Sequence, residues 1–362
     1  MRVGIDIQST LGLKTGIGYY TSSLLEEFKN FKDVDFVYYK NGSGRELNTV
    51  NRMCWENLKL PRLFNKDNLD IFHVPGFAGP YSVKKARKVI TVHDLIGMVY
   101  PLNLAPISRF YWQRWLPWCA KNSDLIISVS ENTKKDIVKF LKIPEDRIKV
   151  IYSAASRHFS PIANKENLRD RLIKYGISTN YILNVGTVEP RKNIPNLIKA
   201  FAGYLNNSGA KNLSLVIVGK KGWAYGESVK AAVESGIQEN VVFCDYIDES
   251  DLALMYNLAE LLIYPSLYEG FGLPILEAMS CSTPVVCSNV SSLPELAGGA
   301  AILIDPLDNT SIENGFGKVL SDSALKRTLS EKALKRSAMF SWRRTAEETV
   351  KAYKEAMGEK PR

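Results

Sequence analysis

Residues 261–277 read LLIYPSLYEGFGLPILE, and this stretch decides the fold class. Leu261–Tyr264 is a short, continuous apolar run, the pattern of a strand buried on both faces. Beyond it, Gly270 and Gly272 allow the backbone to approach a ligand closely. Pro274 suits a first helical turn, where its missing N–H costs little. Strand, glycine-bearing turn and helix in that order are the unit of a doubly wound sheet, whose ligands lie beyond the carboxyl ends of its strands. Glu269 falls in the turn and Glu277 about one turn into the helix. Carboxylates accept hydrogen bonds from sugar hydroxyls, and free amides at a helix start favour an anion or a sugar oxygen. Two carboxylates at this spacing suit a nucleotide sugar; a Gly-Pro turn with two incidental glutamates is the plainer alternative.

Outward from this segment the same alternation fills the chain. In the second half, strands are expected at Tyr181–Val185, Leu213–Val218, Val241–Phe243, Val285–Val286 and Ala301–Ile304, with helices at Ile194–Asn206, Glu227–Ser235, Glu249–Ala259 and Pro274–Ser280. The first half gives strands at Arg2–Ile7, Asp35–Tyr39, Ile71–Val74, Lys88–His93, Leu125–Val129 and Lys149–Ile151. Its helices fit Gly18–Lys29, Pro106–Lys121 and Glu131–Leu141, the last with Ser130 as N-cap. Ser153–Asn167 is a polar, proline-containing break, so the domains are expected to be residues 1–165 and 166–340. Ser341–Met357 reads as one amphipathic helix. Two doubly wound α/β domains facing across a cleft are the economical architecture.

Composition bounds the function. With 362 residues, 45% hydrophobic and 23% charged, the chain is an ordinary globular protein of about two domains. No apolar run approaches the roughly 20 residues of a membrane span, and MRVGIDI at the start is too short for a signal peptide; a cytoplasmic protein is expected. Five cysteines without a C-x-x-C pair and three histidines argue against a disulfide framework and a multi-histidine metal centre. Residues 1–170 carry 26 Lys and Arg against 17 Asp and Glu, whereas residues 171–362 carry 21 of each. The whole excess of +9 therefore lies in the first half, which should face something anionic: a membrane surface, a phosphorylated carrier or a nucleic acid.

Other segments carry chemistry at the ends of expected strands. In GTVEPRKN (186–193), Arg191 and Lys192 follow the strand Tyr181–Val185 and can neutralise a diphosphate, Arg adding fork-shaped hydrogen bonding; a solvated basic turn is the alternative. In TGIGYY (15–20), Gly16 and Gly18 leave room for a phosphate or sugar, although the third glycine of the dinucleotide fingerprint is missing; a mere tight turn is the equal alternative. His93, in TVHD, stands where it can bond a sugar hydroxyl or the acceptor, with a satisfied structural histidine as the alternative; His73, in FHVPGF, suits a structural role better. RFYWQRWLPW (109–118) interleaves aromatics and arginines in a manner suited to a membrane interface, but a helix half-buried on its own domain is preferred. Asp33 and Asp35 match a D-x-D metal pattern only in letters. No nucleophile elbow or nucleic-acid module is present.

Together, EGFGLPILE, GTVEPRKN, TGIGYY, TVHDL and ISVSENTKKDI resemble, in order and place, the retaining glycosyltransferases of family four, in a form frequent among mannosyltransferase-like members. The resemblance runs from about residue 1 to 357. It implies the GT-B fold, with the last helix (341–362) crossing back to the first domain. By this resemblance Glu269 would contact the donor hexose, and the backbone of Gly270, Phe271, Gly272 and Leu273 would line the sugar and phosphates. Glu277 would bind the ribose, Arg191 and Lys192 the diphosphate, and Tyr246–Ile247 would flank the base. Gly16 and Gly18 would approach the phosphates from the first domain, and His93 would meet the donor sugar or acceptor. No metal or other cofactor is implied. The wording TVEPRKN leans toward GDP-mannose as donor, with a glycan or lipid-linked saccharide as acceptor in cell-surface polysaccharide synthesis. A UDP-hexose donor, a sugar-nucleotide epimerase, a catalytically silent sugar-nucleotide-binding subunit and a nucleic-acid-binding protein remain the alternatives.

Overall fold

The computed structural model describes residues 1–11, 16–42, 44, 47, 49–76, 79–80, 85–101, 106–165, 168–210 and 212–358. It divides into two compact units: Met1–Ser153 with Ser341–Arg362, and Ala154–Phe340.

In the first unit six parallel strands, β1 (Arg2–Asp6), β2 (Asp35–Tyr39), β3 (Ile71–Val74), β4 (Arg87–Val92), β5 (Leu125–Ser128) and β6 (Ile148–Val150), lie in the order β2-β1-β3-β4-β5-β6. Every residue of β3 and β5 is buried, as expected for central strands covered on both faces. Ser130 caps its helix as expected, its hydroxyl accepting from Thr133 N–H at 3.0 Å. The expected helix 106–121 forms with a wide π-type turn at Tyr111–Trp115, just before Pro117. The helix 49–64 has the same turn at Trp55–Lys59, just before Pro61. A proline removes one N–H and crowds the carbonyl four residues back, so the turn ahead of it opens.

The final helix, Trp342–Ala356, belongs to this unit. Trp342 packs edge-on to Tyr20 at 5.6 Å, and the Thr345 hydroxyl donates to Tyr152 O at 2.7 Å. Tyr353 OH meets His73 Nδ1 at 2.7 Å, while His73 Nε2 meets the Thr91 hydroxyl at 2.8 Å. Burial pushes the His73 imidazole down to about 3, so it is neutral at pH 7. The helix Pro106–Lys121 buries Leu116, Cys119 and Ala120 and exposes Ile107, Arg109, Phe110 and Arg114.

The second unit repeats the plan with β7 (Asn180–Val185), β8 (Leu213–Val218), β9 (Val241–Cys244), β10 (Leu262–Tyr264), β11 (Val285–Ser288) and β12 (Ile302–Ile304), ordered β12-β11-β10-β7-β8-β9 and all parallel. Residues 154–165, assigned by the sequence reading to the first domain, belong here. Asn257, on the helix Glu249–Leu258, explains why. Its side-chain carbonyl accepts from Ile162 N–H at 2.8 Å, its amide donates to Ser160 O at 2.9 Å, and Lys165 donates to its backbone carbonyl at 2.5 Å.

The strand order also marks where a ligand belongs. From β7 the chain winds outward to β8 and β9, then returns to place β10 on the other side of β7. The crossovers after β7 and β10 therefore leave in opposite directions, and a crevice opens between them at the carboxyl edge.

Candidate functional site

That crevice is lined by the two segments singled out in the sequence. After β7 the chain makes a short 3-10 turn, Pro190–Lys192, before the helix Ile194–Ser208. After β10 it makes the loop that carries Glu269 and leads into the helix Leu273–Ser280. The backbone joins the two, Leu267 N–H donating to Arg191 O at 2.7 Å.

Four charges meet there. Lys192 Nζ lies 2.5 Å from Glu269 Oε1, and Arg191 Nη1 lies 2.6 Å from Glu269 Oε2. The other side of the guanidinium holds Glu189, Nε to Oε1 at 2.5 Å. Tyr264, the last residue of β10, completes the cluster. Its hydroxyl donates to Glu269 Oε1 at 3.0 Å and accepts from Lys192. Lys192 and Glu269 are 5% and 8% exposed, so the pair sits in a low-dielectric setting where its attraction is strong. Burial opposes ionisation of Glu269, but Lys192 and then Arg191 overcome it and hold the carboxyl at about 2. Burial pushes the Lys192 ammonium down, against the pull of Glu269.

The glycines of these loops are required by shape. Gly272 has φ +112, and a Cβ there would lie 2.9 Å from Leu293 Cδ2. Gly186 has φ +145, and its missing side chain leaves the space through which the Lys192 chain passes, 3.0 Å from the Cβ position. Two serines beyond β11 fix the Glu269 loop from below. Ser291 Oγ accepts from Glu269 N–H at 3.0 Å; Ser292 donates to the carbonyls of Glu269 and Phe271 at 3.0 and 2.8 Å. Pro274 takes its place in the first helical turn.

Glu277 lies one turn into that helix, its Oε2 accepting from Tyr256 OH at 2.8 Å. Burial pushes its carboxyl up to about 7, against the Tyr256 hydrogen bond and with help from the Glu249 carboxylate. Tyr246 and Ile247 follow β9 at the sheet edge. Tyr246 is exposed and Ile247 buried, so only the tyrosine offers its side chain to a ligand.

The remaining expected residues belong to the first unit. His93 Nε2 donates to Pro75 O at 2.7 Å, and the Tyr20 ring stands edge-on at 4.7 Å. Since a carbonyl only accepts, the proton is on Nε2 and Nδ1 is the free acceptor of this tautomer. Burial lowers His93 to about 4, so the ring is neutral at pH 7. Gly16 opens the helix Gly16–Phe28 with open space at its Cβ position. Gly18 is glycine for an internal reason: a Cβ would lie 2.4 Å from Ser9 O. Thr15 lies outside the described residues. Thus the structure brings Arg191, Lys192 and Glu269 into contact; Gly270, Phe271, Gly272 and Leu273 follow Glu269 in the same loop and helix start, Glu277 lies one turn into that helix, and Tyr246 and Ile247 follow β9, two strands along the same edge.

Sequence reasoning missed Tyr264, Ser291, Ser292 and Tyr256. Tyr264 had a signal, as the last residue of a strand that feeds the loop. The serines had none, because a distant loop brings them in. Among the described residues, no three His, Cys, Asp or Glu gather as metal ligands, and no helix is long and apolar enough to cross a membrane.

Comparison with known proteins agrees with the geometry. The model of the glycosyl transferases group 1 matches residues 162–336, and that of glycosyltransferase family 4 matches residues 22–156. The chain is similar to O-antigen chain mannosyltransferase B of Escherichia coli, 32% identical over 94% of this chain and 96% of the other. It is similar to the serotype-specific mannosyltransferase WbdA of Escherichia coli, 32% identical over 74% of this chain but 33% of that longer protein. Among solved structures, a sucrose-phosphate synthase from Thermosynechococcus elongatus superposes with a TM-score of 0.77 at 19% identity, covering 99% of both chains; this is a likeness of fold. The chain belongs to this family of glycosyltransferases, with the GT-B fold.

Proposed function

We propose that this glycosyltransferase moves mannose from GDP-mannose onto a glycan or lipid-linked saccharide during synthesis of a cell-surface polysaccharide, with retention at the anomeric carbon. The observation that carries the reading is the cluster of Arg191, Lys192, Glu269 and Tyr264 at the switch point of the second sheet. The mannose preference leans on the similarity to O-antigen chain mannosyltransferase B over nearly the whole chain.

The chemistry follows from the charges. In the transfer step the acceptor oxygen bonds to the anomeric carbon on the face from which the diphosphate departs. The bond from that carbon to the phosphate oxygen breaks, and the hydroxyl proton passes to the leaving phosphate. Negative charge grows on the diphosphate, where Arg191 and Lys192 stand already oriented; preorganised charge of this kind is a large catalytic effect. Glu269 has two duties: its charge opposes the effect of burial on the Lys192 ammonium, and it accepts from a hydroxyl of the hexose. Glu277 accepts from the ribose hydroxyls. His93, neutral with Nδ1 as acceptor, takes a hydroxyl of the sugar or acceptor on the first unit. The two cations supply the charge that a metal would otherwise bring. Ile107 and Phe110, exposed beside Arg109 and Arg114, suit contact with an anionic membrane that holds the acceptor.

Calorimetry with GDP and with UDP, each in the presence of EDTA, tests the reading. Tight GDP and weak UDP binding is the expected result. The reverse preference moves the donor to a UDP-hexose, and binding of neither by folded protein overturns the proposal.

A further inference from the structure

Trp223 is 77% exposed, on the loop that follows β8. The loop is braced rather than free. Val188 N–H donates to Lys220 O at 3.0 Å, and Ala224 N–H donates to Val188 O at 3.2 Å. Gly222 lets it press against the segment that leads to Arg191 and Lys192: a Cβ there would lie 2.5 Å from Val188 O and 3.0 Å from Thr187 Cγ2. On the other side, Gly219 N–H donates to Cys244 O at 3.0 Å, tying the end of β8 to the end of β9. Two residues on from Cys244 stands Tyr246, 56% exposed. Two adjacent loops at one carboxyl edge thus each present a large exposed aromatic, one of them bonded to the diphosphate segment.

The position of Glu277 says what lies between them. Its carboxyl feels the Glu249 carboxylate, and Glu249 opens the helix that Asp248 caps, directly after Tyr246–Ile247. With the diphosphate at Arg191 and Lys192 after β7 and the base beside Tyr246–Ile247 after β9, as the family resemblance implies, the nucleotide runs along the carboxyl edge past the end of β8, which lies between those two strands. Bases stack on aromatic faces, and the stacking is worth most for the larger rings.

We propose that Trp223 stacks on the nucleobase of the donor and, with Tyr246 on the neighbouring loop, forms the surface that sets affinity for the base. The inference rests on the reading of this unit as the nucleotide-sugar site. It makes Trp223 a base-binding residue that acts on donor affinity.

Affinities of wild type, Trp223→Ala and Trp223→Phe for GDP and for inorganic pyrophosphate test it. Trp223→Ala should lose about tenfold or more in GDP affinity, with pyrophosphate affinity unchanged. Trp223→Phe should keep GDP affinity within about threefold of wild type, because its ring still stacks. Trp223 is the only tryptophan between residues 154 and 340, so GDP should quench fluorescence in wild type and lose that quenching in Trp223→Phe. GDP affinity unchanged in Trp223→Ala overturns the proposal, and an increase confined to the acceptor KM would reassign the residue to the acceptor. A parallel loss of GDP and pyrophosphate affinity would also overturn it, since the defect would then lie in the fold or the phosphate site. Failure of wild type to bind GDP or UDP refutes the nucleotide-site reading itself.

Discussion

Replacing Glu269 by Gln keeps the shape of the buried cluster and removes its central negative charge. The carboxyl is held at about 2 against an ordinary 4.5, which linkage converts to about 3 kcal/mol of stability at neutral pH. Removing one partner of a buried ion pair gives a similar figure, about 3–5 kcal/mol. The sign fixes the pH window. A depressed carboxyl stabilises fully above its unfolded value, and the contribution fades as pH falls from about 5 toward 2. Near pH 3 wild type has already lost about 2 kcal/mol of it, so the gap to Glu269→Gln should be wide at pH 7 and narrow at pH 3. Hydrogen exchange of peptides from β7 and β10 reads this unit separately from the other. Turnover with saturating donor should fall by about 10²–10³. A variant within 1 kcal/mol of wild type at pH 7, with the same pH profile, would refute the electrostatic account of the cluster.

Three further outcomes are expected. Glu277, raised to about 7, has the opposite sign: its effect on stability worsens as pH rises from about 4.5 to 7. Nucleotide that needs the carboxylate should bind about tenfold more weakly at pH 6 than at pH 8; calorimetry should show this slope vanish in Glu277→Gln. Tyr353→Phe leaves His73 Nδ1 without its partner in a buried site and should cost about 1–3 kcal/mol, seen as a lower urea midpoint and faster proteolysis of the last helix; a change below about 0.5 kcal/mol would count against a stabilising role for this hydrogen bond. The first unit should carry the protein onto anionic vesicles and release at high salt. Ile107→Asp with Phe110→Asp should abolish cosedimentation, and equal binding of wild type to neutral vesicles would contradict the electrostatic part.

Much of this was legible because parallel sheets advertise themselves. β8 reads LSLVIV and β3 reads IFHV, every residue buried, and such runs need no long-range information. Arg191, Lys192, Glu269 and Glu277 were legible for a related reason: each lies within a few residues of a strand end or helix start. The rest depended on contacts distant in sequence. Asn257 draws residues 160–165 into the second unit, and no local pattern at Ser153–Asn167 shows that. Ser291 and Ser292 reach the Glu269 loop across more than twenty residues. Gly18 looked like a glycine kept open for a ligand, but its neighbour is Ser9 O, which a sequence motif does not distinguish from a phosphate.

The two kinds of loop at the second carboxyl edge divide the work of recognition. Of the residues proposed for phosphate and hexose, Lys192 and Glu269 are buried and Arg191 half-buried, all three joined by ion pairs and braced by Tyr264, Ser291 and Ser292; a change in any of them disturbs charge compensation and fold together. The residues proposed for the base, Trp223 and Tyr246, are exposed side chains on braced backbones, and replacing them leaves no buried charge unpaired. A site built this way can change the base it accepts without disturbing its chemistry. Donor identity should therefore be sought in residues 219–224 and 245–248. Exchanging those segments for their counterparts in a UDP-dependent relative should invert the GDP-over-UDP preference while the pyrophosphate affinity set by Arg191 and Lys192 stays as it was. An exchange that leaves the preference unchanged in a folded protein would place base recognition elsewhere.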